Sequence, residues 1–324
     1  SAQTMSAFHC PYCNSDHATA QYGTQDIFGD AYELLACDDC ETIYLHPPPS
    51  EEALAQAYAE DYYGEGEQKF NPVVEKILGY FRNKRARLLH RLMGGQGNIL
   101  DIGCGNGQFL ALMRSIGPYA IHGLELPGKA AQRAGQVEHL QLKLGALAQE
   151  DYPAASFDAV TLFHVFEHLP NPHEILTTVQ RILKPNGILV MSFPNIGSWQ
   201  AHHFKGDWLH LDPPRHLFFM TPEKFREIMA DHGFELLKET HFAIEYNPFG
   251  MQQSLLNRWL SKRDVLYEVL KGNTEYAKEF SSWQLTLQRL FFLASFPLFI
   301  LTDALVALRK RGATVEFVLR KKRE

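Results

Sequence analysis

The segment Ile99-Leu100-Asp101-Ile102-Gly103-Cys104-Gly105-Asn106-Gly107-Gln108-Phe109 constrains this chain most: a short apolar run ends in three alternating glycines, and a helical pattern follows. Such a strand, turn and helix is the opening unit of a parallel sheet. The glycines let a ligand approach the backbone, and the helix start offers free N–H donors to a carboxylate or phosphate. From Asn98 onward the rest of the chain agrees with this unit. Strands are expected at 99–102, 120–124, 141–144, 159–163 and 188–192, with helices near 107–116, 127–135, 171–183 and 222–232. Two late strands near 239–246 and 314–319 bring the sheet to seven. The fold class is therefore α/β, a Rossmann-like, mostly parallel seven-stranded sheet with helices on both faces.

The front of the chain follows another logic. Cys10-Pro11-Tyr12-Cys13 and Cys37-Asp38-Asp39-Cys40 are two pairs of cysteines, 23 residues apart, the spacing of a two-knuckle zinc ribbon. Four thiolates make a closed tetrahedral site, so Cys10, Cys13, Cys37 and Cys40 are expected to hold a structural Zn²⁺. Pro47-Pro48-Pro49-Ser50 then breaks the chain, and Ser50-Glu51-Glu52 caps a short helix that ends near Asp61-Tyr62-Tyr63-Gly64. A linker rich in Gly and Glu leads into an amphipathic helix at about 72–93. The expected divisions are a zinc ribbon at 1–46, a helical linker region at 47–94, the sheet domain at 95–247 with 314–324, and a hydrophobic helical insertion at 248–313.

With 324 residues and 45% hydrophobic residues, the chain is long and apolar enough for a sizeable core, which excludes wholesale disorder. The net charge of −6 is ordinary, but its distribution is not: residues 1–67 hold thirteen Asp and Glu and no Lys or Arg. An acidic front end is a poor nucleic-acid arm. The start SAQTMSAFHC lacks a basic region followed by an apolar run, with Ser1–Thr4 read as a cloning scar, and the default expectation is a cytoplasmic protein.

Further motifs join the glycine turn in a fixed order. Glu125, in His122-Gly123-Leu124-Glu125-Leu126, ends the second strand, where an acid can accept both hydroxyls of a ribose. Phe157 to Pro172 carries the fourth strand into Phe163-His164-Val165-Phe166-Glu167-His168-Leu169-Pro170, and Leu183-Lys184-Pro185-Asn186-Gly187 turns into the fifth. This set resembles the class I S-adenosylmethionine-dependent methyltransferases, above all the subgroup with an amino-terminal zinc-binding segment. The resemblance implies that Asp101, Gly103, Gly105 and Gly107 hold the methionyl end of S-adenosylmethionine, Glu125 the ribose, and Leu126 the edge of the adenine. Cys104 is counted with that turn as a small packing residue rather than a nucleophile. Where many relatives carry an Asp for the adenine, this chain has Ala146, which leaves recognition to the backbone at Ala146 and Leu147. Phe163 is expected to line the methyl-donor end. A nicotinamide dehydrogenase shares the turn and the ribose acid, but the Lys-Pro-Asn-Gly turn and the Glu-His-Leu-Pro run fit methyl transfer better.

Methyl transfer to a hydroxyl or a carbon acid needs positioning and a base. His164, His168 and His216 are the candidates, since histidine titrates near neutral pH. His202, His203 and His210 are read as loop residues, while Trp199, Trp208, Phe218 and Phe219 either wall an apolar acceptor site or belong to the core. The run 291–308 has a single charge in eighteen residues and is followed by Arg309-Lys310-Arg311. Because the final strand must return to the sheet, a true span conflicts with topology; an interfacial helical hairpin, a dimer surface or a lid is compatible, and a helix lying in the interface, with membrane contact through 285–311, would place Phe291, Phe292, Phe296 and Phe299 among acyl chains. The function expected is methyl transfer to O or C of a small or lipid-linked acceptor, with peripheral membrane contact or a homodimer contact through the insertion. The alternatives are an RNA methyltransferase using the ribbon, and a non-catalytic cofactor-binding scaffold.

Overall fold

The computed structural model of the chain describes residues 9–63 and 72–323. The start Ser1–Thr4 and the linker expected at 64–71 lie outside them. The front holds three antiparallel strands, β1 (Ala18–Gln25), β2 (Ala31–Cys37) and β3 (Ile43–His46), followed by α1 (Glu51–Tyr63) and α2 (Pro72–Leu92). Ser50 caps α1 as its sequence suggests, its Oγ accepting the N–H of Ala53 at 3.1 Å.

The central layer then alternates: β4 (Gly97–Ile102), α3 (Gln108–Ile116), β5 (Tyr119–Glu125), α4 (Lys129–Ala134), β6 (Gln141–Leu144), β7 (Phe157–Phe163), α5 (Pro172–Ile182), β8 (Leu183–Pro194), α6 (Trp199–Phe204), β9 (Phe218–Phe219), α7 (Pro222–Asp231) and β10 (Phe234–Thr240). The insertion supplies α8 (Asn247–Trp259), α9 (Val265–Leu270) and α10 (Ser282–Leu308), and β11 (Thr314–Lys321) completes the sheet. Its order is β10-β11-β8-β7-β4-β5-β6, parallel from β8 to β6, with β11 antiparallel between β8 and β10. The expected seven-stranded Rossmann-like sheet is present.

Strand residues alternate between two cores, as the period of two demands. Leu100, Ile102, Leu162 and Met191 pack with α5 and α7 on one face, and Ile99, Ala159 and Val190 with α2 and α3 on the other. The sequence's late strand at 239–246 is displaced. Gly233, at φ 79°, turns the end of α7 straight into β10, so the strand is spent by Thr240. The alternation beyond it is not a strand: His241 is held by Glu239, and Glu245 by Arg85.

Two open alternatives of the sequence are decided. Trp208, Phe218 and Phe219 are core residues, each no more than 2% exposed, whereas Trp199 lies at the surface stacked on His203. The apolar run belongs to one continuous helix through Pro297, which excludes a hairpin turn within it. The front sheet also has a fourth strand, since β9 pairs with β3 and brings the loop after β8 into the ribbon.

Candidate active site

Both ends of the glycine turn are fixed from the sheet. Gly103 and Cys104 donate their N–H groups to the carbonyl of Leu124 at 2.8 and 3.0 Å, locking the turn to β5. Gly103 (φ 71°) is closed off, for a Cβ there would collide with Val165; Gly105 (φ 56°) has nothing within 4 Å of where a Cβ would stand. The turn therefore opens at Gly105, where a ligand can lie against bare backbone. Glu125 sits across it, Oε2 accepting the N–H of Gly105 at 2.6 Å and Oε1 that of Leu126 at 2.9 Å. Asp101 is buried below, accepts Thr161 Oγ1 at 2.6 Å, and has its carboxyl pushed up to about 7 by burial, with Glu125 adding to the rise.

Cys104 packs over Gly123 and burial pushes its thiol up to about 12, which fits a filler and not a nucleophile. Leu126 and Ala146 are exposed at the rim, while the Leu147 side chain joins the core, leaving only its backbone to face a ligand. Phe163 turns toward α2 and α3, edge-on to Phe109 at 5.1 Å and under the Arg85 guanidinium. The positions expected to face adenine, ribose and the methionyl group thus line one end of the parallel strands, as an open sheet requires.

A cleft of about 140 Å³ lies between α2, the ends of β8 and β10 and the start of β11, bordered by Lys84, Arg85, His164, Ser192, Lys238 and Glu316. Arg85 is tied to Glu316 Oε2 at 2.5 Å and to Glu245 Oε1 at 2.7 Å, which fixes α2 over the cleft. His164, next after β7, has φ 54°, a backbone conformation costly for a residue with a Cβ. Its N–H is held by the carbonyl of Ser192 at 2.9 Å, its ring lies on Tyr246 at 4.3 Å between centroids, and its Nδ1 stands 3.7 Å from Glu167 Oε1.

The three histidines of the sequence reading divide around Glu167. His164 borders the cleft, whereas His168 and His216 lie beyond the carboxylate, their rings 4.6 Å apart. His216 donates Nδ1–H to the carbonyl of His210 at 2.8 Å, and His168 donates Nδ1–H to that of Arg215 at 3.1 Å, so each keeps its Nε2 lone pair. Burial pushes the pKa of both rings down, that of His216 strongly. His216 Nε2 is 3.8 Å from Glu167 Oε1. Glu167 itself is 2% exposed, and neither of its oxygens accepts a hydrogen bond among the described residues.

The surroundings of Glu167 are thus rich in acceptors and short of donors, whereas Lys84, Arg85 and Lys238 line the cleft in front of His164. Glu167, His168 and His216 also bring one ligand atom each within 4.8 Å of one another, so the same trio could hold a divalent ion. The sequence reading named the histidines and passed over Glu167, whose signal was the helical spacing of His164 and Glu167 after a strand.

At the front, Cys10 and Cys40 sulfurs are 3.5 Å apart, as are those of Cys13 and Cys37, and all four lie within 4.8 Å of one another. Sulfurs about 2.3 Å from a tetrahedral zinc stand about 3.8 Å apart, so the cluster fits a zinc ribbon. The ribbon reaches the histidines through backbone: Leu45 donates to the carbonyl of Leu217, and Leu217 donates to that of Glu167.

Comparison with known proteins gives a family model described as "Methyltransferase domain" over residues 75–239. The chain is 31% identical over 107 residues to a ubiquinone biosynthesis O-methyltransferase of Glaesserella parasuis serovar 5, an alignment covering 30% of this chain and 45% of that protein. Its counterpart in Alkalilimnicola ehrlichii is 28% identical across 54% of this chain and 63% of its own length. A malonyl-[acyl-carrier protein] O-methyltransferase of Paenibacillus is 24% identical, across 60% and 71%. The chain thus spans only about half to two thirds of the first two relatives.

Proposed function

Because the chain belongs to the methyltransferase-domain family and is a class I S-adenosylmethionine-dependent enzyme, we propose that it methylates a hydroxyl oxygen of a small or lipid-linked acceptor, with His164 as the base. The observation that carries this reading is the pairing of His164, on the cleft, with a buried carboxylate behind it that has no hydrogen-bond partner of its own. A carboxylate 3.7 Å from Nδ1 favours the proton on that nitrogen electrostatically, which leaves Nε2 free to accept. The acceptor hydroxyl gives its proton to Nε2 as its oxygen bonds to the methyl carbon.

When bound, S-adenosylmethionine would supply an electrophilic sulfonium methyl with a neutral thioether as its leaving group. Asp101, Gly103, Gly105 and Gly107 would hold its methionyl end, Glu125 its ribose hydroxyls, and Leu126 with the backbone at Ala146 and Leu147 its adenine. His168 and His216 wall the far side of Glu167 rather than touch the acceptor. The names of the relatives, which methylate oxygen, support the choice of atom. The four-cysteine cluster holds a structural zinc, and the enzyme works in the cytoplasm at a membrane face. In single-turnover assays with hydroxylated acceptors of short and long alkyl tail, His164→Ala should lose methyl transfer while binding S-adenosylmethionine normally. Unchanged turnover in that variant would remove His164 from the chemistry.

A further inference from the structure

The helix α10 has its polarity reversed. In a water-soluble protein the apolar face of a surface helix turns inward. In α10 the residues that turn inward fully are Gln288 and Asp303, and the polar contacts lie on the protein side: Asn247 Nδ2 donates to Asp303 Oδ1 at 2.8 Å, and Gln252 Nε2 donates to the carbonyl of Phe292 and to Ser295 Oγ. Outward, Leu290, Leu293, Leu298, Leu301, Leu305 and Leu308 recur every three to five residues, each more than half exposed. Only 6% of the most apolar stretch is buried. The phenylalanines, which the sequence pattern assigns to the outer face, instead turn partly toward the body, Phe292 edge-on to Phe249 and Phe299 against the core under the ribbon.

Length and apolarity would suffice for a span, but both ends of α10 are tied to one body. Leu285 packs on Val265 and Ala277, Asp303 is held by Asn247, and the chain enters β11 at Thr314. The helix lies along the protein over α8, so its leucine face can meet a surface but cannot cross it.

We propose that this face docks flat into the headgroup boundary of an anionic lipid membrane. The charge around it selects that occupant. Arg289 is the one outward charge on α10, and Arg309, Lys310 and Arg311 follow at its exit, all exposed and all positive. Trp283, before the stripe, and Trp259, at the end of α8, are 66% and 67% exposed, where amphipathic rings sit at a bilayer edge. A second copy is the weaker occupant: antiparallel pairing of two α10 helices about Leu298 sets Arg289 of one against the basic exit of the other.

Docking does not depend on the acceptor reading above, though it would serve a lipid-linked acceptor. The test is therefore run on vesicles without acceptor. The full-length protein is centrifuged with vesicles of phosphatidylcholine alone and of phosphatidylcholine with about 30% phosphatidylglycerol, at low and high salt. Wild type should pellet with the anionic vesicles, more at low salt, and stay in solution without vesicles. Leu298→Asp with Leu301→Asp, both at exposed sites, should abolish pelleting, and Arg309→Gln with Lys310→Gln and Arg311→Gln should weaken it roughly 10- to 100-fold. Wild type that stays in the supernatant with both vesicles overturns the proposal. If it then elutes as a dimer that the leucine pair of substitutions makes monomeric, the face belongs to a second copy. Docking without methylation of long-tailed acceptors would count against the acceptor reading alone.

Discussion

Leu217 donates its backbone N–H to the carbonyl of Glu167 at 2.9 Å, while its own carbonyl takes the N–H of Leu45 in the ribbon's third strand at 3.0 Å. The ribbon's β3 is therefore tied to the backbone of Glu167, whose carboxylate lies behind His164, through two hydrogen bonds. Removing zinc with a strong chelator, or making Cys37→Ser, should loosen β3 and β9 and lower the rate of methyl transfer about tenfold or more, with a smaller effect on S-adenosylmethionine affinity. Metal analysis, single-turnover rates and calorimetry on the same samples check this. Equal loss of rate and cofactor affinity would mean that the whole sheet unfolds with the ribbon.

Glu125 faces the opening at Gly105 across a 2.6 Å hydrogen bond. Glu125→Ala should weaken S-adenosylmethionine binding by about 1–3 kcal/mol, through loss of charge-assisted hydrogen bonds to the ribose. Titration calorimetry reads it directly. An unchanged affinity would take Glu125 out of the cofactor site.

Substituting Glu167→Gln keeps the shape behind His164 but removes the charge. The expected result is a fall in kcat of about 10- to 100-fold, with KM for the acceptor and affinity for the cofactor little changed, because the amide cannot hold the imidazole proton at Nδ1 as a carboxylate does. A change confined to KM would instead assign Glu167 to acceptor binding.

Asp303 has its carboxyl pushed up to about 7, chiefly by burial, against an ordinary value of 3.8. Between those values the folded chain keeps a proton that the unfolded chain releases. Its contribution to stability is fully present below about pH 4 and is lost as pH rises through 7. Asp303→Asn removes this dependence and can still accept from Asn247. The melting temperature of wild type relative to the variant should therefore fall between pH 5 and pH 8. A constant difference across that range would show that Asp303 does not titrate under α10.

The order and most boundaries of the sheet were legible because each strand from Ile99 onward pairs a hydrophobic run with a turn residue, and the glycine turn fixed which end binds ligand. What escaped was non-local. β9 is two residues long and carries no periodicity, and its partner lies far back in the ribbon, so neither segment announces the pairing. The segment after Thr240 mimics a strand because separate partners bury alternate residues. Glu167 was overlooked for a related reason: its burial among histidines from two loops is visible only once β7 and the loop after β8 meet. The outward leucines of α10 were hidden because a nearly uncharged run shows no amphipathic contrast, and only the packed α8 reveals which side faces in.

The position of β11 bears on the order in which the protein can be made. Although it is the last strand of the sheet in sequence, it lies between β8 and β10 and hydrogen-bonds to both. In a chain that has folded as far as Leu308 but has not yet placed β11, α10 stands formed while β8 and β10 still wait with unpaired edges. The leucine face is then free before the body can close. Closure depends on Phe317 and Leu319 reaching the core, so chains halted before Thr314 should present two open strand edges and a bare apolar helix to the quality-control machinery.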